Sequence, residues 1–505
     1  MRFIMIFAPR FIEWPKAICN ELQNKDERVE IIALATTIKV KERLQELQNK
    51  GECNFFAIEC FEEQAKLWLD QGYDEKRLRK HEKKFGTDIV NNILIADRQV
   101  GQGFISCADH VETDLCKLTA SHDQKRAYIS GCIDFALDLH KKFKPKAVFF
   151  YSVADANTAA LASVLKAKRV ETLRLTHTRI DDRYMLDTSA YGFFANLDAS
   201  KKVLDDKALV WAKKWLRESR ANLNKEPDYM LSLRKLSKSQ LSVLGILKNI
   251  AHASLRLMFY KLLKGERPLV TETGWQRLKD AFAIPFKKFY FGYKNQDFDV
   301  AYFRDRSFLY YALHVDPEAS TMHLAPDHTD QLSVIEALAK RKPLHMDLLV
   351  KEHPNMIGKR PFYFYEAIKK MPGVYLVPSQ ISSQMLVKAS SLVATITGTV
   401  AWEAIMLGKP ALIIGQSPYT HQKILKSALV QHSDLSTLGA AISKALSLKP
   451  LPEGKLIQFI ANLYQESFAV GTGEVLYTTS SEDVCKKSDI LDRLVCDIHG
   501  YLVKK

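Results

Sequence analysis

Short apolar runs separated by helical periodicities open the chain. "RFIMIFA" (2–8), "VEIIALA" (29–35), "CNFFAIE" (53–59), "KAVFFYS" (146–152) and "ETLRLTH" (171–177) are rich in β-branched and aromatic residues and too short for buried helices. "WPKAICNELQN", after the first run, has helical spacing, with Pro15 near its first turn, where a missing N–H does no harm. Strands alternating with helices predict a mainly parallel sheet covered on both faces. The gap between Cys60 and Lys146 predicts a helical excursion, broken by a glycine-marked loop at "ADRQVGQGF" (96–104).

From about residue 200 to 295 the strand signal lapses. In "KSQLSVLGILKNIAHASLRLMFYKLLKG" (238–265), Leu241, Leu244, Leu247, Ile250, Ser254, Met258 and Leu262 form a largely apolar stripe. Lys238, Lys248, Arg256, Lys261 and Lys264 add positive charge, with no acid among them. The stretch reads either as a packed connector with a solvated basic face or as a helix lying on anionic lipid. Beyond 300 the alternation returns. Strands at "SFLYYALHV" (307–315), "MDLLVKEHP" (346–354), "VYLVP" (374–378) and "LVATI" (392–396) are each followed by a helical stretch. The expected organisation is α/β, with doubly wound domains at 1–200 and 296–475 facing a cleft, a basic helical connector at 201–295 and a helical tail at 476–505.

Composition narrows the class. With 505 residues, 47% hydrophobic and 26% charged, the chain suits a soluble protein of two or more domains. "FIMIFA" is too short for a secretory signal and lacks a small-residue cleavage site, and no run reaches the ~20 apolar residues of a membrane span. Eight cysteines without a CxxC pair predict reduced thiols, a cytoplasmic setting and no zinc site. The net charge of +15 favours anionic partners. Nucleic acid is not expected, because the basic residues are dispersed and no recognised binding module appears.

Four successive strands of the second domain deliver polar residues to one rim. His314, Asp316 and Glu318 follow the first strand, and Lys351, Glu352, His353 and Pro354 the second. Ser379, Gln380, Ser382 and Ser383 follow the third, and Thr397, Gly398 and Thr399 the fourth. Helix-start amides suit a phosphate, Gly398 would let it approach closely, and Thr399 could add a hydroxyl. Glu403, four residues after Thr399, lies on the same helical face, where a carboxylate could accept from a ribose diol. A plain threonine N-cap and a surface glutamate is the competing reading. Pro354 holds His353 extended at the strand end, and Lys351 lies two residues before it, so an imidazole and an ammonium could meet one phosphate.

"LHVDPEAST", "VKEHPNMIG" and "LVATITGTVAWEAIMLGKPALIIG" resemble the capsule polysaccharide biosynthesis family, which includes Kdo transferases; the likeness is strongest over about 307–420, with a weaker echo in "RIDDRYML". The His-Pro signature is similar to that of bacterial sialyltransferases with two-domain GT-B folds. The resemblance implies a GT-B glycosyltransferase using a CMP-activated ulosonic acid (Kdo, sialic, pseudaminic or legionaminic type). By position, His353 and Thr397 to Thr399 would hold the phosphate and Glu403 the ribose.

Such a donor carries a carboxylate, for which Arg98, Arg179 and Arg183 are candidates. A glycan or glycolipid acceptor needs a base or nucleophile, for which Asp155 is the first choice, followed by Asp97 and Asp182. Each aspartate reads equally well as a helix cap or turn residue. His353 could protonate the leaving phosphate. Asp297-Phe298-Asp299 matches a metal-binding tripeptide of another transferase class, but precedes the second sheet instead of ending a strand, so no metal or cofactor is expected. The competing functions are a UDP-sugar transferase or epimerase, a nucleic-acid-binding protein and a non-catalytic capsule-assembly scaffold. Contact with the inner face of the cytoplasmic membrane rests on the 238–265 stretch.

Overall fold

The computed structural model describes residues 1–97, 121–197, 204–222, 301–303, 305–378, 381–470 and 486–503, with isolated positions at 251, 254–255, 283, 286–287 and 484. The 238–265 stripe (apart from those isolated positions), the Asp297-Phe298-Asp299 tripeptide, Arg98, Ser379 and Gln380 lie outside the described residues. The chain forms two compact units. The first comprises Met1–Asp97, Ser121–Ala212 and Gln458–Lys505, and the described core of the second runs from 301 to Ile457.

The first unit holds β1 (Arg2–Phe7), β2 (Glu30–Ala35), β3 (Ala57–Cys60), β4 (Ala147–Phe150), β5 (Glu171–His177) and β6 (Arg183–Asp187). The second holds β7 (Phe308–Ala312), β8 (Asp347–Lys351), β9 (Val374–Val377), β10 (Leu392–Thr395), β11 (Ala411–Ile413) and β12 (Leu429–Gln431), and β13 (Phe468–Ala469) returns to the first. The sheet orders are β13-β6-β5-β4-β1-β2-β3 and β12-β11-β10-β7-β8-β9. Each contains the 3-2-1-4-5-6 order of a Rossmann-like sheet. Strands β1 to β5 pair in parallel, as do all six of the second sheet. This is why the central strands carry apolar residues on both faces: Phe3, Ile4, Met5 and Ile6 of β1, and Leu309, Tyr310 and Tyr311 of β7, are fully buried.

The sequence pattern set a tail at 476–505, whereas the compact unit changes at Gln458. Two elements carry the return. Strand β13 pairs antiparallel with β6, Phe468 opposite Tyr184, covering an edge that would otherwise be open. The helix Ser488–Val503 inserts Leu491, Leu494, Val495, Ile498 and Leu502 into the core beside Trp14, Ile18 and Leu22. A two-residue strand has no periodicity to detect.

Arg183 fixes this junction. Its Nε donates to Ser467 Oγ at 2.9 Å, one terminal nitrogen donates to the carbonyls of Tyr464 (3.0 Å) and Ser467 (2.7 Å), and its guanidinium lies 4.2 Å from the Tyr464 ring centroid. Replacing it with methionine strands two carbonyl acceptors. Arg183→Met should lower the unfolding free energy by about 2 kcal/mol, measured by urea denaturation; an unchanged midpoint would show the junction to be held by β13 alone.

Candidate functional site

In the second sheet, chain progression runs from β7 outward through β8 and β9, then crosses to β10 on the other side. The carboxyl ends of β7 and β10 therefore flank a topological switch point, where open α/β sheets bind ligands. His314 follows β7 and the Thr397-Gly398-Thr399 turn follows β10, and they touch there. Thr397 N–H donates to His314 Nε2 at 3.2 Å, and Thr395 Oγ1 lies 3.2 Å from the same nitrogen. Gly398 N–H donates to Thr395 Oγ1 at 3.1 Å. Nε2 thus accepts, so the neutral ring carries its proton on Nδ1, which meets no acceptor among the described residues. Burial, then the neighbouring His353 and Arg360, pushes His314 down to about 3.

The turn differs from the expected phosphate cradle in two respects. The Thr397 and Gly398 amides are already engaged inside the protein; those of Thr399 and Val400 have no acceptor among the described residues. Thr399 is not a side-chain cap either: it is exposed, and its hydroxyl makes no cap bond to the helix Val400–Met406. The groups that the turn leaves open are thus the amides of 399 and 400 with the Thr399 hydroxyl. Glycine at 398 is required from within, since a Cβ there would sit 2.6 Å from Thr395 Oγ1 and 3.2 Å from His314 Nε2.

Lys351 ends β8, only 5% exposed, and its Nζ donates to Ser383 Oγ at 2.9 Å. Ser382 is the N-cap residue of the helix Ser383–Ala389 without a side-chain cap bond. Glu403 is half-buried, and burial pushes its carboxyl up to about 7 against the opposing pull of Lys351. Lys351, Ser383 and Glu403 therefore form one polar group beside the turn.

His353 has the extended backbone that Pro354 predicts, with φ −68° and ψ 133°. Its Nδ1 accepts the Asn355 N–H at 3.2 Å. The neutral ring consequently presents Nε2–H, and burial lowers its pKa below the usual histidine range. This changes the expected chemistry: at neutral pH His353 is a hydrogen-bond donor, and serving as an acid would cost it the Asn355 bond.

Behind both histidines lies a group that sequence spacing gave no reason to single out. Arg360 is fully buried; its Nε donates to Glu352 Oε2 at 2.8 Å, NH1 to Asp316 Oδ2 at 3.1 Å, and NH2 to the His314 carbonyl. Glu352 also accepts from Tyr365 Oη at 2.7 Å and, through Oε1, from the His353 backbone N–H at 2.7 Å. Gln331 Oε1 accepts the His314 N–H at 2.8 Å. One guanidinium thus ties the segment carrying His353 to the segment carrying His314, and through His314 to the turn. Glu318, by contrast, heads the short helix Ala319–Leu324 and makes no side-chain cap bond.

In the first unit the candidates do not form such a group. Asp155 caps the helix Ala156–Ala167 in a capping box: its Oδ1 accepts Thr158 N–H and Oγ1–H, both at 2.8 Å. Asp97 is buried and accepts the Ala156 N–H at 3.0 Å. Both carboxylates thus sit at one helix start, where the dipole favours them. Asp182 and Arg179 are exposed in the β5–β6 connection, Arg179 with a left-handed φ of 63°. Arg183, committed to Tyr464 and Ser467, is a structural tie.

A family model described as capsule polysaccharide biosynthesis protein matches residues 304–424, the segment that holds every second-unit residue above. No curated protein sequence matches the chain. Among solved structures, the UDP-GlcNAc 2-epimerase of Methanocaldococcus jannaschii is 12% identical, covering 92% of this chain and 99% of its own, with a TM-score of 0.25. The KpsC beta Kdo 2,7 transferase of Thermosulfurimonas dismutans is 14% identical (65% of this chain, 79% of its own, TM-score 0.29). The beta Kdo 2,4 transferase of the same organism is also 14% identical (63% and 87%, TM-score 0.26). At such identities and scores, neither substrate nor mechanism passes from these structures to this chain.

Two outcomes follow from the geometry. Arg360→Leu leaves two buried carboxylates unpaired and should cost about 3–5 kcal/mol of second-unit stability, read from denaturant unfolding; a loss under about 1 kcal/mol would mean that the group is solvated. His314 titrates at its ordinary 6.5 when unfolded and at about 3 when folded. Its contribution is complete above 6.5 and is lost as pH falls toward 3, at up to about 1.4 kcal/mol per pH unit. Glu403, raised from 4.5 to about 7, acts in the opposite sense, losing its contribution as pH rises through that window. The difference between wild type and His314→Gln isolates the first effect, and parallel stability curves from pH 6.5 to 4 would contradict it.

Proposed function

We propose that the protein is a glycosyltransferase of capsule or surface-glycan synthesis, and that its second unit holds the nucleotide end of a CMP-activated ulosonic acid of the Kdo, sialic, pseudaminic or legionaminic type. One observation carries the reading: the ends of β8 and β10, the two neighbours of β7, present His353 Nε2–H, Lys351 and the open amides of Thr399 and Val400 on one rim of the sheet. These are donors and a cation, the complement of a phosphate. The family match over 304–424 supports the same reading, because it spans those residues.

The chemistry suits the group. Transfer breaks the bond from the anomeric carbon to a phosphate oxygen, and the bonding pair leaves with CMP. The phosphate gains charge as the bond lengthens, so preorganised donors stabilise the transition state more than the ground state. His353 contributes through Nε2–H without changing protonation state. Glu403, next to Lys351, is the acceptor for a ribose hydroxyl when ionised. Lys351 and the turn supply the positive character for which other transferases use a divalent ion. The acceptor hydroxyl loses its proton to a base as its oxygen bonds to the anomeric carbon.

Thermal unfolding with CMP, UDP and a single-stranded oligonucleotide discriminates the alternatives. CMP at a hundred times its dissociation constant should stabilise by about 2.7 kcal/mol, and His353→Ala should weaken CMP at least tenfold, roughly one charge-assisted hydrogen bond. Selective stabilisation by UDP would replace this reading with a UDP-sugar transferase or epimerase. A salt-sensitive response to the oligonucleotide alone would replace it with nucleic-acid binding. Purified protein should also hydrolyse a CMP-ulosonic acid slowly.

A further inference from the structure

The end of the first sheet at which its parallel strands begin carries a basic surface with an exposed aromatic ring. The residues entering its parallel strands share that end: Arg2 at β1, Phe56 before β3, Lys144 and Lys146 before β4, and Lys168 and Arg169 before β5. Phe56, a large apolar side chain, is 50% exposed. Arg2 lies over its ring, 4.9 Å from the centroid, and Phe143 meets it edge-on at 6.3 Å. The helices His122–Phe143 and Ala156–Ala167 end here, beside the C-terminal end of the helix Glu75–Phe85, which carries Lys84.

The cations crowd one another. Burial holds both Lys84 and His140 below their ordinary pKa, and neighbouring cations lower them further, Lys168 and Lys80 for Lys84, and Lys168, Lys144 and Lys84 for His140. Lys84, Lys144, Lys146, Lys168 and Arg169 are exposed and form no ion pair with a described residue. Several nearby acids are already occupied: Glu30 by Arg2 at 2.8 Å, Glu59 by Lys142 at 2.7 Å, Asp26 by Arg28 at 2.9 Å, and Asp134, which opposes the shift of Lys84, by Arg77. Helix ends welcome cations, but two of these occupy a backbone conformation that strains a side-chain-bearing residue. Lys144 and Arg169 have left-handed φ of 45° and 58°. Glycine or asparagine would occupy either position with less strain.

We propose that this end of the first sheet is a docking surface for an anionic lipid bilayer, with Phe56 entering the headgroup layer and the surrounding lysines and arginines meeting the lipid phosphates. The exposed aromatic ring decides between partners. A soluble polyanion would use the charges and gain little from Phe56, whereas an interface between water and acyl chains uses both. The surface is separate from the proposed donor site and does not depend on that reading.

Sedimentation of the full chain with phosphatidylglycerol-containing and pure phosphatidylcholine vesicles tests it. Wild type should sediment with the first and not the second, less so at high salt. The double variant Lys144→Gly, Arg169→Gly removes two charges while relieving backbone strain. It should keep or raise thermal stability and bind the anionic vesicles about tenfold more weakly. Phe56→Ser should weaken binding several-fold at every salt concentration. Failure to sediment would overturn the proposal, as would binding undiminished by these substitutions, for instance through the stretch 238–265. Equal binding to heparin without dependence on Phe56 would assign the surface to a soluble polyanion instead.

Discussion

A fully buried guanidinium between two buried carboxylates is the constraint on which the candidate site rests. Taking Arg360, Glu352 and Asp316 out of water is expensive, and their attraction offsets that only while every partner stays in place. Tyr365, the His353 amide and the His314 carbonyl add further hydrogen bonds to the group. A site built this way resists small rearrangements, because moving one strand end strands a charge. Such rigidity suits a phosphate site, where donors must already point at the place where charge will develop.

The two histidines are set by this frame to opposite tasks. His314 uses Nε2 as an acceptor and shapes the turn; His353 uses Nδ1 as an acceptor and so presents a donor. Both are desolvated and neutral at physiological pH, so neither needs protonation to do its work. The nearby Glu403, raised to about 7, is the group of the site that changes charge close to neutrality.

The net charge of +15 acquires locations that composition could not give. Lys351 is buried at the rim of the second sheet, and Arg183 is spent on a strand junction. Lys84, Lys144, Lys146, Lys168 and Arg169 gather where the strands of the first sheet begin, with no ion pair to a described residue. Cationic side chains thus stand in three settings, separated by burial and by the partners that folding brings near.

The amino-acid sequence by itself determined the architecture. Strands buried on both faces are short apolar runs, so β1, β2, β4, β5 and β7 to β10 could be read directly, as could the rim residues that follow β7 to β10. The brief strands β12 and β13 escaped, having too few residues for a period, and so did the antiparallel β6, whose charged ends Arg183 and Asp187 leave an apolar run of only Tyr184, Met185 and Leu186. Only tertiary structure decided which polar residues do what. Arg360 follows a loop glycine and a lysine and looks exposed, yet its partners lie 8 and 44 positions away. Asp155 reads equally as cap or base until its bonds to Thr158 are seen, and the open amides lie at 399 and 400 because Thr395 and His314 consume the preceding two. Periodicity records which face of an element is dry, a local property of the chain; hydrogen-bond commitment depends on neighbours that only folding supplies.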